Sequence, residues 1–426
     1  MKIETGLGQQ IDEAIAELYK LYDPRVIDWF AGLWDGNVGG FYYSNSARDH
    51  EGFLPDIEST CQAIGALGAV CDFSRWGGSM DNALSAEMKK KLGAFSVSLE
   101  AEDGYFYHPQ WGREIGMSRR GRDLDWAVSN ARRFGAKLPY PTALERLSGA
   151  SGDKSGLPAH LRSKEAFIEY LDNLNIESHS HNKGHALNSQ KEQIIAAGLA
   201  DTLFDYCDAL QESIQQRLVA RGEKPNGLFQ EGANYVAISG LFKLGAIYNM
   251  QKRPFKYVEH MIDSGIKAIM SDDVPEVVIY VFNPWSGLTA AVQNMKMAVE
   301  LYGAEHDMEA VYAKIRAAAP EMIRKTAKKL AAFRRPDMAF SYNVGYSAPY
   351  TQGTHVSLGY DEGEVNGSVL AINGVSRSVF ACLGVPRPPI FGCDDVERFL
   401  AAVERFTPRE KLPVPEKFKD HPPVKR

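Results

Sequence analysis

The segment GGFYYSNSARDHEGFLPDIESTCQAIGAL, residues 39–67, joins a Gly-aromatic loop to the start of an apolar stretch that continues to residue 70. Apolar side chains in that stretch recur three or four positions apart, which is typical of an amphipathic helix. The stretch is also rich in Ala, Gly and Ser. Small residues of this kind indicate a closely packed inner helix rather than a charged outer one.

The same pattern, a Gly-aromatic or polar loop followed by an apolar helix, recurs along the chain. Its markers fall at positions 39, 104, 182, 227, 283 and 340, at intervals of about 60 residues, enough for two helices and a long loop. The helices predicted after the markers cover 56–70, 123–134, 191–206, 234–248, 288–302 and 364–384. More charged stretches between them, at 80–101, 207–222 and 308–333, are expected to form outer helices.

Six helical hairpins in one chain predict an all-α fold, the (α/α)6 toroid, with long loops at one end. An open solenoid is the alternative, but irregular spacing and dissimilar loops favour the ring. Few segments alternate with period two, so strands should be limited to short hairpins, for which YVFNP at 280–284 and AFSYNV at 339–344 are candidates. A ring cannot be split without exposing its inner faces. We therefore expect one domain over 1–426, with 386–426 as a C-terminal helix and extended tail.

Two of these units carry a resemblance to known toroids. Residues 39–67 and NGLFQEGANYVAISGLFKLGAIY at 226–248 resemble the Gly-Phe loop and inner-helix units of terpenoid cyclases and protein prenyltransferases. They are similar as well to the toroids of glycoside hydrolases, unsaturated-uronide hydrolases, polysaccharide lyases and sugar 2-epimerases. The resemblance covers most of the chain at the level of architecture, and no motif singles out one family. It implies a central cavity and leaves the chemistry open.

Composition excludes several classes of protein. The formal net charge of −6 argues against a dedicated nucleic-acid binder. No run approaches about 18 apolar residues, so no membrane-spanning helix is expected. The five cysteines are scattered without a CxxC pair, and the N-terminal segment lacks the basic start and apolar core of a signal peptide. We expect a cytoplasmic protein.

Polar side chains near the starts of the predicted inner helices should converge around one end of a toroid cavity. Asp56, Asp125 and Glu231 are candidate catalytic acids or bases, because glycoside cleavage uses two carboxyl groups about 5–10 Å apart. Glu58 and Asp123 are candidate substrate-binding groups. Helix capping is the simpler explanation for Asp56, Glu58 and Asp123, whereas Asp125 and Glu231 fit either role.

The segment HSHNKGHALNSQ, residues 179–190, is the most concentrated polar stretch. On a helix, His181 and His185 would share one face. A neutral imidazole can act as a general base near pH 7, so His181 is a catalytic candidate and His185 a substrate-binding one. Ordinary loop and cap chemistry is the alternative. The segment lacks the intervening Glu of HExxH, and we predict no metal and no cofactor.

An arginine-rich segment, GREIGMSRRGRDLDW at 112–126, stands out in an acidic protein. Guanidinium groups bind carboxylates and phosphates bidentately, so Arg119 and Arg122 would hold a uronate, a phosphate or a diphosphate. Pairing of these arginines with Asp123, Asp125 and Glu114 is the structural alternative.

The last long loop, YNVGYSAPYTQGTHVSLGYDEGEVNG at 342–367, supplies aromatic, hydroxyl and carboxyl groups of the kinds that sugar sites use. Tyr346 and His355 are candidate catalytic residues, since a Tyr–His combination could abstract the proton beside a uronate carboxylate. Glu364 and Trp285 are candidate substrate-binding residues. A rigid loop whose tyrosines pack on the ring is the alternative.

Together these features predict a carbohydrate-active enzyme that cleaves an oligosaccharide or glycoside. Hydrolysis by paired carboxylates is the first choice, and lyase or epimerase chemistry by Tyr and His is the near relative. A polar, aromatic-rimmed cavity would favour this function. The proline-rich tail lies on the surface or pairs with another subunit, which leaves a homo-oligomer open.

Two other functions remain open. A terpenoid cyclase or prenyltransferase would need an apolar cavity and an Asp-rich motif. DLDW at 123–126 lacks the last acid of DxDD, and DDVPE at 272–276 and DDVER at 394–398 only approximate DDxxD. The second is a non-catalytic ligand-binding toroid, which would place no reactive pair in its cavity.

Overall fold

The computed structural model describes residues 4–148, 154 and 156–416, and most of these residues are helical. The chain is therefore all-α, as predicted. The helices of the first half are α1 Gln9–Tyr19, α2 Arg25–Gly32, α3 Asn45–Asp49, α4 Ile57–Val70, α5 Met80–Ala83, α6 Ala86–Ser98, α7 Met117–Arg133, α8 Ala143–Ser148, α9 Lys164–Leu174, α10 Ser180–Asn188, α11 Lys191–Ala196 and α12 Ala200–Ala220. The helices of the second half are α13 Tyr235–Met250, α14 Val258–Met270, α15 Ile279–Tyr302, α16 Met308–Ala331, α17 Val365–Val369, α18 Val375–Leu383 and α19 Cys393–Glu404.

Strands in the described residues are confined to two short antiparallel pairs. β1, Trp34–Asp35, pairs with β2, Gly40–Phe41. β3, Tyr350–Thr351, pairs with β4, Thr354–His355, so that Tyr350 lies opposite His355. The β3–β4 hairpin turns at Gln352, which has a left-handed φ of 49°.

The predicted inner helices are largely present, with two corrections. The polar segment at 179–190 is itself helical in α10, whereas the helix predicted over 191–206 is broken between α11 and α12. The fifth marker was expected in a loop, and YVFNP in a strand, but both lie inside α15, which begins at Ile279. Burial of Phe282 and Trp285 on that helix outweighs the hydrogen bond that Pro284 cannot donate.

The inner helices contact one another in sequence. α4 contacts α7, α7 contacts α10, α10 contacts α13, and α13 contacts α15. α15 contacts α18, which continues α17 through a π-helical turn at Leu370–Gly374, and α17 returns to contact α4. Further helix contacts are between α1 and α16, between α2 and α19, between α6 and α7, and between α14 and both α15 and α16.

Small residues allow the closest helix contacts. A Cβ added at Gly240 of α13 would lie 2.5 Å from the Cβ of Ser180 on α10. A Cβ added at Gly287 of α15 would lie 2.8 Å from Cγ2 of Ile238 on α13. Gly240 lies in a predicted inner helix, whereas Gly287 was expected in the fifth loop, and a larger residue at either position would push two helices apart.

The first and last units of the chain are joined directly. Val365 N donates to Tyr43 O at 2.9 Å, and Ser46 N donates to Glu362 Oε2 at 2.8 Å. Ser44 and Glu364 form an isolated antiparallel bridge. Helix α19 lies within the segment 386–426, and backbone hydrogen bonds tie Leu412 to the chain at 49–51. Residues 417–426 of the predicted tail lie outside the described part. None of the described helices has the length and apolar character needed to span a bilayer.

Candidate functional site

A cavity of about 470 Å³ lies among the inner helices, and each of them contributes to its wall. The lining side chains are Gln62 from α4; Arg122, Asp125 and Trp126 from α7; His181, Asn182, His185 and Asn188 from α10; Phe242 and Lys243 from α13; Ile279, Phe282 and Asn283 from α15; and Asn366 from α17. Tyr342 and the β3–β4 hairpin residues Tyr350, Thr351 and Gln352 add to the wall. Most of the lining residues carry a polar group, and aromatic rings lie among them, a combination that suits a sugar ligand.

Helix α10 presents its two histidines to this cavity. His181 and His185 lie one turn apart, so both line it, and His179 caps the helix by accepting from Asn182 N at 3.2 Å. The His181 Nδ1 atom is buried and has no hydrogen-bond partner among the described residues. Ser189 Oγ lies 3.4 Å from His185 Nε2. A buried ring nitrogen without a partner is uncommon and indicates that this histidine is held for something other than packing.

Both cavity histidines are neutral at pH 7. Burial lowers the pKa of His181 to about 3, and the positive charge of Lys243 contributes. Burial also lowers the pKa of His185 well below its usual value, with further lowering by Lys243 and Arg122. Neutral imidazoles can take up a proton from a substrate, whereas imidazolium could only give one up.

Arg119 gathers three predicted site residues into a closed cluster behind the cavity. Its Nε donates to both carboxylate oxygens of Asp123 at 2.9 and 3.0 Å, and its Nη1 donates to Glu58 Oε2 at 2.8 Å. Its Nη2 lies 3.3 Å from Asp56 Oδ1, and its guanidinium stacks over the Trp111 ring. Arg119 is 1% exposed and does not line the cavity. Arg119 therefore pairs with carboxylates of the protein itself and is not placed to bind a ligand in the cavity.

The charges in this cluster compensate one another. Burial alone would lower the pKa of Arg119, but Asp123, Glu58 and Asp56 outweigh it and raise that pKa. Burial raises the pKa of Asp123 to about 6, an effect that Arg119 opposes. Asp56 is also the N-cap of α4, accepting from Ser59 N at 2.9 Å, whereas Asp123 lies within α7 and caps nothing.

Arg122 connects the cluster to the cavity. Its Nη2 donates to Glu58 Oε1 at 2.8 Å, its guanidinium lies over the Trp126 ring, and one-fifth of its side chain is exposed. The Gln352 amide oxygen, in the orientation that satisfies both groups, accepts from Arg122. An anionic ligand would reach this guanidinium by replacing the neutral Gln352 amide, because a charge-assisted hydrogen bond is the stronger one.

Asp125 is the one carboxylate among the described cavity-lining residues. Its Oδ2 lies 2.7 Å from Lys191 Nζ, which also lines the cavity, and its side chain is 39% exposed. Asp125 therefore reaches the cavity as predicted, but it comes as an ion pair and without a second cavity carboxylate beside it.

The structure corrects the expected position of Glu231. This side chain is turned outward and pairs with Arg217 and Arg221 at 3.1 and 2.8 Å. The inward position belongs to the preceding residue, since Gln230 Oε1 accepts from Ser180 N at 2.9 Å. A one-residue shift in the loop before α13 thus removes Glu231 from the cavity.

Three further candidates lie away from the cavity surface. Trp285 is fully buried between helices and donates from Nε1 to Thr326 Oγ1 at 2.8 Å. Tyr346 is 45% exposed on the outer part of its loop. The His355 ring stacks on Tyr350 at a centroid distance of 5.0 Å and meets the Phe53 ring edge-to-face at 4.9 Å, so His355 packs the β3–β4 hairpin against Phe53. None of the three side chains lines the cavity, so the roles predicted for them at the site are not supported by their positions.

Glu364 lies next to the cavity but is enclosed. One carboxyl oxygen accepts from Ala348 N, and the other has no hydrogen-bond partner among the described residues. Burial raises the pKa of Glu364 well above its usual range, and nearby Glu362 and Glu58 add to the effect. Glu364 therefore holds the loop that carries the β3–β4 hairpin.

The sequence analysis did not single out Lys243, which lies in the middle of the cavity wall. The signal was present, because Lys243 is the one charged residue in YVAISGLFKLGAIY, an otherwise mostly apolar inner helix. Burial lowers the pKa of Lys243 to about 7, and Arg122 lowers it further while Glu58 opposes the change. Tyr342 and Asn366 were not singled out as lining residues, because the sequence does not show which side chains of the last loop and of the helix after it turn inward.

Comparison with known proteins gives no further evidence about this site. No family model, no curated protein and no solved structure matches the chain. Within residues 4–148, 154 and 156–416, no group of three or more His, Cys, Asp or Glu side chains is placed to hold a metal ion. The function must therefore be argued from the side chains of the cavity.

Proposed function

We propose that the contacting inner helices form the inner ring of an (α/α)6 toroid. The support comes from two observations: the contacts lead from α4 through α7, α10, α13 and α15 to α17 and α18 and back to α4, and all six units line one cavity. In such a ring, residues far apart in sequence meet at one point, which is the usual site of ligand binding.

We propose further that the cavity binds a sugar that carries a carboxylate, and that the enzyme acts on it by proton transfer, as a lyase or an epimerase. The observation that carries this proposal is the pair of neutral histidines, His181 and His185, facing the same cavity as Arg122. Aromatic rings such as Trp126 and Tyr350 offer apolar surfaces for the sugar ring.

The proposed chemistry uses each group in one role. Arg122 binds the carboxylate, so that the proton on the adjacent carbon becomes more acidic. His181 or His185 removes that proton as a neutral base. Burial raises the pKa of Tyr342, so its hydroxyl keeps its proton and can donate it to a leaving oxygen. An anionic ligand would also raise the low pKa values of the two histidines, which makes them stronger bases once the substrate is bound.

Hydrolysis by paired carboxylates receives less support. Asp56, Glu58 and Asp123 are bound by Arg119, and Asp125 faces the cavity already paired with Lys191. Glycoside hydrolysis needs two carboxyl groups on opposite sides of the glycosidic bond, one as the acid and one as the base or nucleophile. The described cavity-lining residues do not supply two such groups. Terpenoid chemistry gains no support, because the cavity lining is polar and the Asp272 side chain is 95% exposed.

The test is a substrate screen with both chemistries as outcomes. The purified protein is incubated with uronate-containing oligosaccharides, and unsaturated products are followed by ultraviolet absorbance; aryl glycosides are tested in parallel. We expect unsaturated or epimerised uronate products. Release of the aryl group alone, with no change at uronates, would favour hydrolysis and contradict the proposal.

Variants then connect the activity with the histidines. His181→Gln and His185→Gln should each lower kcat by about 10²–10⁴-fold, the range for loss of a general acid or base. His260→Gln is the matched control, because His260 lies on α14 outside the cavity. Equal activity in the two cavity variants and the control would show that neither histidine takes part in the reaction.

A further inference from the structure

Lys243 is the least compensated charged group of the cavity. It extends from α13 into the cavity wall, and no ion pair or hydrogen bond to it occurs within the described part of the chain. Its Nζ lies 4.5 Å from the centre of the Phe242 ring. By contrast Lys191, at the same cavity, is paired with Asp125 at 2.7 Å. One lysine is therefore neutralised by a partner and the other is not.

The groups around Lys243 disfavour a positive charge on it. Arg122 on α7 brings a like charge, and His181 and His185 on α10 are neutral. The one nearby carboxylate that attracts it, Glu58 on α4, is already bonded to Arg119 and Arg122. A lysine that is desolvated beside another cation is the arrangement in which an amine becomes a nucleophile.

We propose that Lys243 is a nucleophilic amine that forms an imine with a 2-oxo acid, whose carboxylate is bound by Arg122. The nitrogen lone pair attacks the carbonyl carbon, a C–N bond forms, and one proton moves from the nitrogen to the carbonyl oxygen, which gives a carbinolamine. The second proton of the amine then moves to the hydroxyl oxygen, which leaves as water, and a C=N bond results. The net reaction consumes one amine and one carbonyl group and releases one water, with no oxidant or reductant.

The amine is available at neutral pH. With a pKa of about 7, about half of the Lys243 side chains are uncharged at pH 7, whereas an ordinary lysine is uncharged in fewer than about one molecule in a thousand. His185 and His181 lie close enough to influence and be influenced by this charge, and their neutral rings can carry the protons that imine formation moves. This assignment does not depend on the sugar chemistry proposed above.

Trapping tests the imine directly. The full-length protein is incubated with pyruvate and sodium cyanoborohydride, which reduces an imine to a stable amine, and the adduct is located by peptide mass mapping. We expect one adduct, on Lys243, whose rate of formation rises as the pH passes through about 7 and then levels off. Labelling spread over the exposed lysines, or labelling of Lys243 only near pH 10, would overturn the assignment.

Two comparisons make the result specific. Lys243→Arg should abolish the adduct, and Lys296→Arg, an exposed lysine of α15, should leave it unchanged. If Lys243→Arg fails to fold, the pH dependence of labelling in the unaltered protein still decides the question. Methyl pyruvate keeps the 2-oxo carbonyl group but has no carboxylate, and it should label Lys243 about tenfold more slowly than pyruvate, because a charge-assisted hydrogen bond to Arg122 is lost. Equal rates would refute the role of Arg122.

The outcome is separable from that of the substrate screen. His181→Gln and His185→Gln can eliminate activity on uronates while Lys243 is still labelled by pyruvate. Conversely, an unlabelled Lys243 leaves the histidine chemistry untouched.

Discussion

The Arg119 cluster and the cavity are neighbouring charged regions that differ in how their charges are paired. In the Arg119 cluster every charge has a close partner of opposite sign, and the cluster is dry. In the cavity, His181 has an unpartnered ring nitrogen within the described structure, and Lys243 is desolvated without an ion pair there. Glu58 and Arg122 lie between the two regions and belong partly to both.

The difference separates scaffold from site. A buried charge that is fully paired holds helices together, and its removal is costly because the partners are left uncompensated. A buried polar group without a partner costs stability and is retained where it contributes something else, such as binding or reactivity. Substitutions in the two regions should therefore change stability in opposite directions.

The largest effect is expected for Arg119→Met, which leaves three buried carboxylates without their common partner. We expect the free energy of unfolding to fall by about 3–5 kcal/mol, measured by urea denaturation. Arg113→Met is the matched control, since Arg113 makes an exposed pair with Asp103 and should cost no more than about 1 kcal/mol. Similar losses for the two variants would mean that the Arg119 cluster is not a structural unit.

Lys243→Met should have the opposite sign. Removing a desolvated amine should raise the free energy of unfolding at pH 7 by about 2 kcal/mol. The pKa of Lys243 is about 7 in the folded protein and higher in the unfolded chain, so between pH 7 and about 10 the unfolded chain binds the extra proton. Stability of the unaltered protein should therefore rise with pH in that range, and the advantage of the variant should shrink. Urea denaturation at pH 7 and pH 9.5 measures this, and a loss of stability at pH 7 would contradict it.

The histidines should make the cavity sensitive to acid. Because burial lowers the pKa of His181 to about 3, the unfolded chain binds a proton between about pH 6.5 and 3 that the folded protein does not. Stability should fall as the pH drops through this window, by about 1 kcal/mol between pH 6.5 and 5.5 for this residue. His181→Gln should reduce the loss relative to His260→Gln in thermal denaturation at both pH values. Identical acid sensitivity would place the His181 ring in water.

The smallest change in stability is expected at the tip of the β3–β4 hairpin. Gln352→Gly suits the left-handed φ but removes the hydrogen bonds to Arg122. We expect the free energy of unfolding to change by no more than about 0.5 kcal/mol, because relief of strain and greater freedom of the unfolded chain oppose each other. The freed Arg122 should change the affinity for a carboxylate ligand more than it changes stability, which titration with pyruvate can measure. An effect on stability alone would mean that the hairpin does not act on Arg122.

The success of sequence reasoning differed between fold and site. Periodicity located α4, α7 and α13, because the apolar face and the small residues of an inner helix are local properties. It brought Asp125, His181 and His185 to one cavity through the phase of the repeat. It could not distinguish Glu231 from Gln230, since one residue of loop geometry decides which of them faces inward.

Other misses had different physical causes. Arg119 looked like a ligand-binding group because two of its carboxylate partners, Asp56 and Glu58, belong to α4, whose position relative to α7 is a tertiary property. Lys243 was overlooked because it carries no motif, although a single lysine in an apolar inner helix has to be explained by what it faces. Trp285 illustrates the reverse, since an aromatic residue beside a loop marker was needed for packing.

The hydrogen bond between Tyr43 and Val365 joins the first and last units of the chain, so it can form only late in synthesis. Tyr43, Gln62 and Arg122 reach the cavity from the early part of the chain, but their surroundings include Tyr342, Gln352 and Asn366. A ribosome adds residues in order, at about 5–20 per second, so the early helices wait about 15 seconds or more for the segment that covers them. During that interval the part of α4 that α17 contacts lacks this neighbour, and the cavity wall is completed only after residues 342–370 have been synthesised.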